Sequence, residues 1–392
     1  MPHRFDINFL FHEKLVTIAL QILSKPPTNL KMKLTKLQLE NFRNYGEYTY
    51  EFPSDKNCTV IVGENGRGKT NLLEAIHILS LGKSFRAAYH DELIKWTNNY
   101  TRCRGSVSLD EETTELEVFY EAEPAKKKNF KRNGVSLKNS EYIGSFLTVL
   151  FHPEDLNMLY LSPSLRRKYL DTVLCQTDKK YLESLIGYKK VLKQRNALLN
   201  EIREASFGGK KTDKLEDDLA AWDIEFLEFA DVIIEKRSSF IKLLEDEIES
   251  AYRSISGGEE EVKIKYERSL KAPAEENLKN ARKRDIFRAE SSRGPHRDDL
   301  KFYINGKEIS SSASRGEFRT LLLAIKMGEI SYIQNKTGKN PVLLLDDVFS
   351  ELDEKRKKHL LEVINGCQTI ITATDTAGIG EIKENSNLVQ ID

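Results

Sequence analysis

Residues Gly63-Glu64-Asn65-Gly66-Arg67-Gly68-Lys69-Thr70 follow directly on the apolar run Cys58-Thr59-Val60-Ile61-Val62. A buried strand feeding a glycine turn that opens a helix is the setting of a P-loop, so this stretch calls for an α/β sheet. It also implies a ligand class, nucleoside triphosphate with Mg2+. Gly63, Gly66 and Gly68 let backbone N–H groups turn inward and approach phosphates. The helix opening near Lys69 adds the positive end of its dipole. Lys69 supplies a point charge to the β- and γ-phosphates, and Thr70 a hydroxyl to Mg2+.

A second acidic strand end lies far downstream. Pro341-Val342-Leu343-Leu344-Leu345-Asp346-Asp347 is an apolar run closed by two carboxylates. It reads as a buried parallel strand, with the acids at the C-terminal edge where such sheets place ligands. Asp346 is expected to hold Mg2+ through water, and Asp347 to polarise the attacking water. Lys69 and Asp346 are 277 positions apart. A compact nucleotide-binding domain needs no such separation, so an insertion or a two-lobed head is expected.

Three further segments, taken in order, give the class. Asn41-Phe42-Arg43-Asn44 follows a short alternating strand signal at Leu37 and Leu39. Ser314-Arg315-Gly316-Glu317 opens an apolar-periodic segment with Leu321, Leu322, Ile325 and Ile330. Ser350-Glu351-Leu352-Asp353 follows the acidic strand. Together with the P-loop these resemble the ABC/SMC-type ATPases: P-loop, signature motif, Walker B strand and D-loop. The resemblance implies that Ser314, Gly316 and Glu317 serve a nucleotide held by a second copy of the chain, and that Arg43 and Asn44 approach the nucleotide from the side. Many members carry a switch histidine after the next strand; here Thr374 or Asp375 stands at that place.

More specific blocks occur in the same order: Gly82-Lys83-Ser84-Phe85-Arg86, Phe151-His152-Pro153-Glu154-Asp155-Leu156, Ser162 to Asp171, and Gly294-Pro295-His296-Arg297-Asp298-Asp299-Leu300. From about Met32 onward the chain resembles the RecF family of bacterial DNA replication and repair proteins. The resemblance implies an ATP-dependent homodimer on single-stranded, gapped or junction DNA. It further implies RecR and RecO as partners, help in loading recombinase, a part in SOS induction, and a weak, DNA-stimulated ATPase. The alternative is an SMC-like regulatory ATPase that acts on protein partners.

The region between the two motif sets carries helical spacing. Leu182, Leu185, Tyr188, Leu192, Arg195, Leu199 and Ile202 form one seam. Leu215, Leu219, Trp222, Phe226, Phe229, Ile233, Lys236, Phe240 and Leu243 repeat at 4-3. A Gly208-Gly209 turn between them predicts an antiparallel helical hairpin with Arg195 and Lys236 as polar breaks in the seam. At 1.5 Å per residue its first helix spans roughly 35 Å.

The fold expectation is therefore an α/β, ABC-type ATPase head with a mixed sheet, two lobes and an inserted helical hairpin arm. The first lobe covers 32–160, the arm 161–290 and the completing lobe 291–392. Residues 1–31, with apolar stretches broken by Glu13 and Lys14 and ended by Pro26-Pro27, read as a dispensable or non-native extension. With 61 basic and 61 acidic residues, net charge is zero, so a DNA footprint has to be a local patch. Lys126 to Arg132 before the Asn133-Gly134 turn, Arg166-Arg167-Lys168, and Lys83 with Arg86 are candidates for it. Glu154 stands where a Q-loop glutamine is expected. The four cysteines show neither metal nor disulfide spacing, which favours a reducing cytoplasm. No apolar stretch is long enough to span a membrane.

Overall fold

The structure is a computed structural model that describes residues 29–364, 366–375, 380 and 385–391. All but the last three positions of the expected N-terminal extension lie outside them. Leu30 and Lys31 already belong to the first strand and pair with Lys339 and Asn340.

In chain order, strands β1 (Leu30–Phe42) and β2 (Tyr45–Glu51) form a hairpin, and β3 (Cys58–Val62) leads into helix α1 (Lys69–Leu81). A meander of β4 (Tyr100–Leu109), β5 (Glu112–Glu121), β6 (Lys127–Arg132) and β7 (Val135–Leu137) precedes β8 (Thr148–Phe151). Helices α2 (Pro163–Thr177), α3 (Lys179–Phe207) and α4 (Asp213–Ser256) come next, followed by β9 (Val262–Glu267) and α5 (Ala274–Arg288). The chain returns through β10 (Asp299–Ile304), β11 (Lys307–Glu308), α6 (Arg315–Thr337), β12 (Lys339–Asn340) and β13 (Val342–Asp346). It closes with α7 (Glu354–Ile364), β14 (Thr369–Ala373) and β15 (Ser386–Gln390).

Two sheets make the head. One is wholly parallel, in the order β15-β3-β14-β13-β8. β8, β13 and β14 are buried along their whole length, which is why they read as continuous apolar runs. The other sheet, β12-β1-β4-β5-β6-β7 with β2 beside β1, is antiparallel except where β1 meets β12. β4 buries every second residue through most of its length, as a one-faced strand does. Helix α1 lies against both sheets and is buried on nearly every side, from Leu72 to Leu81. The strand carrying the P-loop and the strand carrying Asp346 therefore share one sheet, with β14 between them. The N-terminal and C-terminal parts of the chain thus complete a single parallel sheet.

Between the halves stands the helical hairpin, α3 against α4. Its approach is close: a Cβ on Gly187 would sit 2.4 Å from the Phe229 ring. The seam keeps the 4-3 repeat read in the sequence, but every second position lies one residue later. On α4 the buried residues include Leu219, Asp223, Phe226, Ala230, Ile233, Arg237, Phe240 and Leu244. Arg237 rather than Lys236 is the interior cation, and Leu243 is 60% exposed while Leu244 is buried. A straight helix of 3.6 residues per turn drifts about 20° per heptad against a 3.5 repeat. Such drift is not what displaces this seam, because the offset is one residue from Trp222/Asp223 through to Leu243/Leu244.

Arg195 and Arg237 are held by acids in the interior. Arg195 Nε donates to Asp223 at 2.8 Å and Nη1 to Asp285 at 3.2 Å. Arg237 Nη2 donates to Asp171 at 2.8 Å and Nη1 to the Pro295 carbonyl at 2.8 Å. The span expected to be purely helical also contributes β9, which pairs with β10 in a three-stranded sheet completed by β11.

Candidate functional site

The P-loop geometry follows from its glycines. Gly66 and Gly68 take φ of 85° and 105°, in the left-handed region that costs any residue with a Cβ. A Cβ on Gly66 would meet nothing within 4 Å, so the space beside this exposed turn is open. Helix α1 starts at Lys69 with no side-chain cap and no acidic residue in its first turn. Its leading N–H groups are thus left for an external acceptor, as an anion site requires. The Lys69 ammonium folds onto the loop, donating to the carbonyls of Gly63 at 2.5 Å and Glu64 at 2.9 Å. Glu64 and Arg67 are exposed and pair with one another.

Asp346, at the C-terminal end of β13, gathers donors from three other elements. Thr70 Oγ1 donates to its Oδ1 at 2.8 Å, and Thr372 Oγ1 to the same oxygen at 2.8 Å. His152 Nε2 lies 3.4 Å from Oδ2. A hydroxyl from the helix after the loop thus meets a carboxylate 276 residues away. Oxygen donors of this kind suit Mg2+. Asp347 sits next to it with φ 51°, its N–H bonded to Thr372 Oγ1 at 3.0 Å.

The side of the loop is braced by the first strand pair. Asn44 Nδ2 donates to the Arg67 carbonyl at 3.1 Å, and Tyr45 OH to that of Gly68 at 3.1 Å. Arg43 is directed elsewhere: Nε and Nη2 bond both oxygens of Glu74, and Nη1 the Glu92 carbonyl. Burial pushes the Glu74 pKa up, but hydrogen bonds from Arg43, Arg86 and Ser84 outweigh it and leave the carboxyl below its ordinary value. Arg43, Asn44, Asn71, Arg86, Lys95 and Trp96 line a groove of about 630 Å³ beside the loop.

Ser314 caps α6 in a reciprocal box. Its hydroxyl accepts from Glu317 N–H at 3.3 Å, and its own N–H donates to Glu317 Oε2 at 2.7 Å. Glu317 is therefore spent on the cap. Arg356, from α7, ties this turn to the D-loop segment, donating to the Gly316 carbonyl at 3.0 Å and to Asp353. Ser314 and Arg315 face solvent, and no hydrogen bond joins Ser314 to the P-loop among the described residues.

Other sequence candidates fall away from the site. Arg166 is buried against Asp299 at 2.7 Å, so it is no phosphate contact; its neighbours reach the Asp298 and Phe85 carbonyls. In the β6–β7 hairpin, Lys126 and Lys131 pair with Asp91 and Glu117, and Lys128 donates to the Gly82 carbonyl. The Gly294–Leu300 segment is a structural junction. His296 Nδ1 contacts Tyr188 OH at 2.6 Å, and Asp298 accepts from Tyr266 and from the Ser269 N–H. Among the described residues no cluster of His, Cys, Asp and Glu is arranged to hold a metal. His152, Thr372 and Arg356 went unread in the sequence. Only the first two carried a signal, standing at or just past the C-terminal ends of apolar parallel strands, where ligands collect.

Residues 33–391 match the RecF/RecN/SMC N-terminal domain family. The chain is 38% identical over 356 residues to the DNA replication and repair protein RecF of Lachnoclostridium phytofermentans, covering 90% of this chain and 95% of that one. Against the RecF of Bacillus mycoides it is 38% identical over 361 residues, covering 89% and 93%. The chain belongs to the RecF family. Among solved structures, the recombination mediator protein RecF-ATPrS of the RecFOR pathway matches with a TM-score of 0.81 at 36% identity, covering 90% of this chain and 95% of that one. RecF-ATP of the same pathway matches at 0.80 and 35% identity, covering 90% and 96%. The RecF-family match takes in both halves of the divided head and the arm between them.

Proposed function

We propose that the chain is an ATP-operated DNA clamp of recombinational repair. The observation that carries this is the meeting of Thr70 with Asp346 at 2.8 Å beside an uncapped helix start. The α1 N–H groups and Lys69 would hold the phosphates of ATP, with Lys69 trading its two loop carbonyls for phosphate oxygens. Thr70 and Asp346 would hold Mg2+, which when bound supplies charge neutralisation and a Lewis acid. Asp347 orients water in this reading. An Asp is shorter than a Glu, so turnover is slow: a weak ATPase, stimulated by DNA, that works as a switch.

The solvent-facing Ser314 turn, unconnected to its own P-loop, is read as capping the nucleotide of a second copy. Two chains would close over two ATP molecules and grip single-stranded, gapped or junction DNA, in the cytoplasm, with RecR and RecO as partners. Recombinase loading and SOS induction would follow from that complex. No described helix is long and apolar enough to cross a membrane.

Fluorescence anisotropy of a gapped duplex tests the DNA step. The expected result is binding that requires ATP and weakens steeply with salt, as phosphate contacts dictate. Binding absent at every nucleotide and salt condition would instead favour a regulatory ATPase acting on protein partners.

A further inference from the structure

A second polar site lies at the far end of α1. A cavity of about 130 Å³ opens where the end of α1, the segment after β8, α2 and α6 meet. One water needs about 10–15 Å³ of such space, so there is room for several. Two buried hydroxyls in its wall, Thr148 Oγ1 and Tyr169 OH, make no hydrogen bond. Buried polar groups are normally satisfied, and two orphans lining one space call for an occupant.

The cations around it are unevenly matched. Lys326 Nζ lies 3.3 Å from both Asp155 and Glu329. Lys168, at the exposed rim with Glu154, donates to the Phe85 carbonyl at 3.0 Å. The Lys83 ammonium makes no hydrogen bond or ion pair among the described residues, and burial lowers its pKa. His77 is held neutral, its pKa brought down to about 3 by burial first and then by Lys83, Lys168 and Lys326. Asp155 Oδ2 is already engaged by Lys326 and by the His152 N–H at 3.2 Å. Burial raises the Glu329 pKa, against the pull of Lys326. Lys83 and the hydroxyls of Tyr169 and Thr148 are thus left as donors without an acceptor, and an acceptor-rich ligand answers them.

We propose that this cavity binds a small oxyanion of the phosphate class, held by Lys83, Tyr169 and Thr148. Its Lys83 end is set off from the P-loop, because Lys69 opens the 13-residue α1, roughly 20 Å long, and Lys83 lies beyond its last residue; at the other end of the wall His152 lies 3.4 Å from Asp346. The inference rests on the cavity alone and not on the nucleotide reading.

The test is thermal unfolding of the full chain titrated with inorganic phosphate, with sodium chloride as the ionic-strength control. Run in a Lys69→Met background, it removes any contribution of the P-loop. The expected result is a phosphate-dependent rise in Tm that persists in Lys69→Met. Adding Lys83→Met or Tyr169→Phe should then weaken the apparent affinity about tenfold or more. Tyr169→Phe removes one unbonded oxygen and so keeps the test readable if the lysine variant folds poorly. A response lost in Lys69→Met places the ion at the P-loop and overturns the proposal. So does a response unchanged by Lys83→Met and Tyr169→Phe, or no response beyond that of chloride.

Discussion

Asp346 shows how much depends on one side chain. Its oxygens meet Thr70, Thr372 and His152, which come from three separate stretches of chain. Asp346→Asn keeps the shape but removes the charge, and ATP hydrolysis should fall on the order of a hundredfold or more. A coupled phosphate-release assay reads this; activity within a few-fold of wild type would remove Asp346 from the chemistry. His77 makes a second prediction. Its folded pKa lies near 3 against 6.5 in the open chain. The unfolded chain therefore takes up a proton below 6.5 that the folded one refuses, so stability is full above that pH and is lost as pH falls toward 3. At about pH 5 the loss amounts to about 2 kcal/mol. Urea unfolding near pH 7.5 and pH 5 should show that drop in wild type and a smaller one in His77→Gln; equal drops would contradict it.

At the scale of elements, legibility tracked locality. The strand, glycine turn and helix of the P-loop are contiguous, and so is the Ser314–Glu317 capping box, so each could be read from a few adjacent residues. The β9–β10 pairing could not, because its partners are 32 to 42 residues apart and its strands are short. His152 went unread for a similar reason: its proximity to Asp346 exists only once β8 and β13 lie side by side. The arm was legible as two helices, and so were Leu219, Phe226, Ile233 and Phe240 of its seam; the positions between were read one residue early, because the large apolar Trp222 and Phe229 stand next to the buried Asp223 and Ala230. The close approach at Gly187 gives this scale its prediction. Gly187→Val drives methyl groups into the Phe229 ring and should destabilise the chain by about 1–3 kcal/mol in denaturant unfolding. An unchanged midpoint would mean that α3 and α4 do not meet there.

For the whole molecule, the central claim is that one chain holds half of each nucleotide site and a second copy supplies the rest. On this proposal the half offered to the partner is the solvent-facing Ser314 turn, which Arg356 braces to the D-loop segment. Sedimentation velocity of wild type, Lys69→Met and Ser314→Arg, each with and without ATP and Mg2+, tests this most directly. The account predicts that wild type is a monomer without nucleotide and a dimer with it, and that both variants stay monomeric throughout. A wild type whose mass ignores ATP, or a Ser314→Arg chain that dimerises as well as wild type, would contradict it.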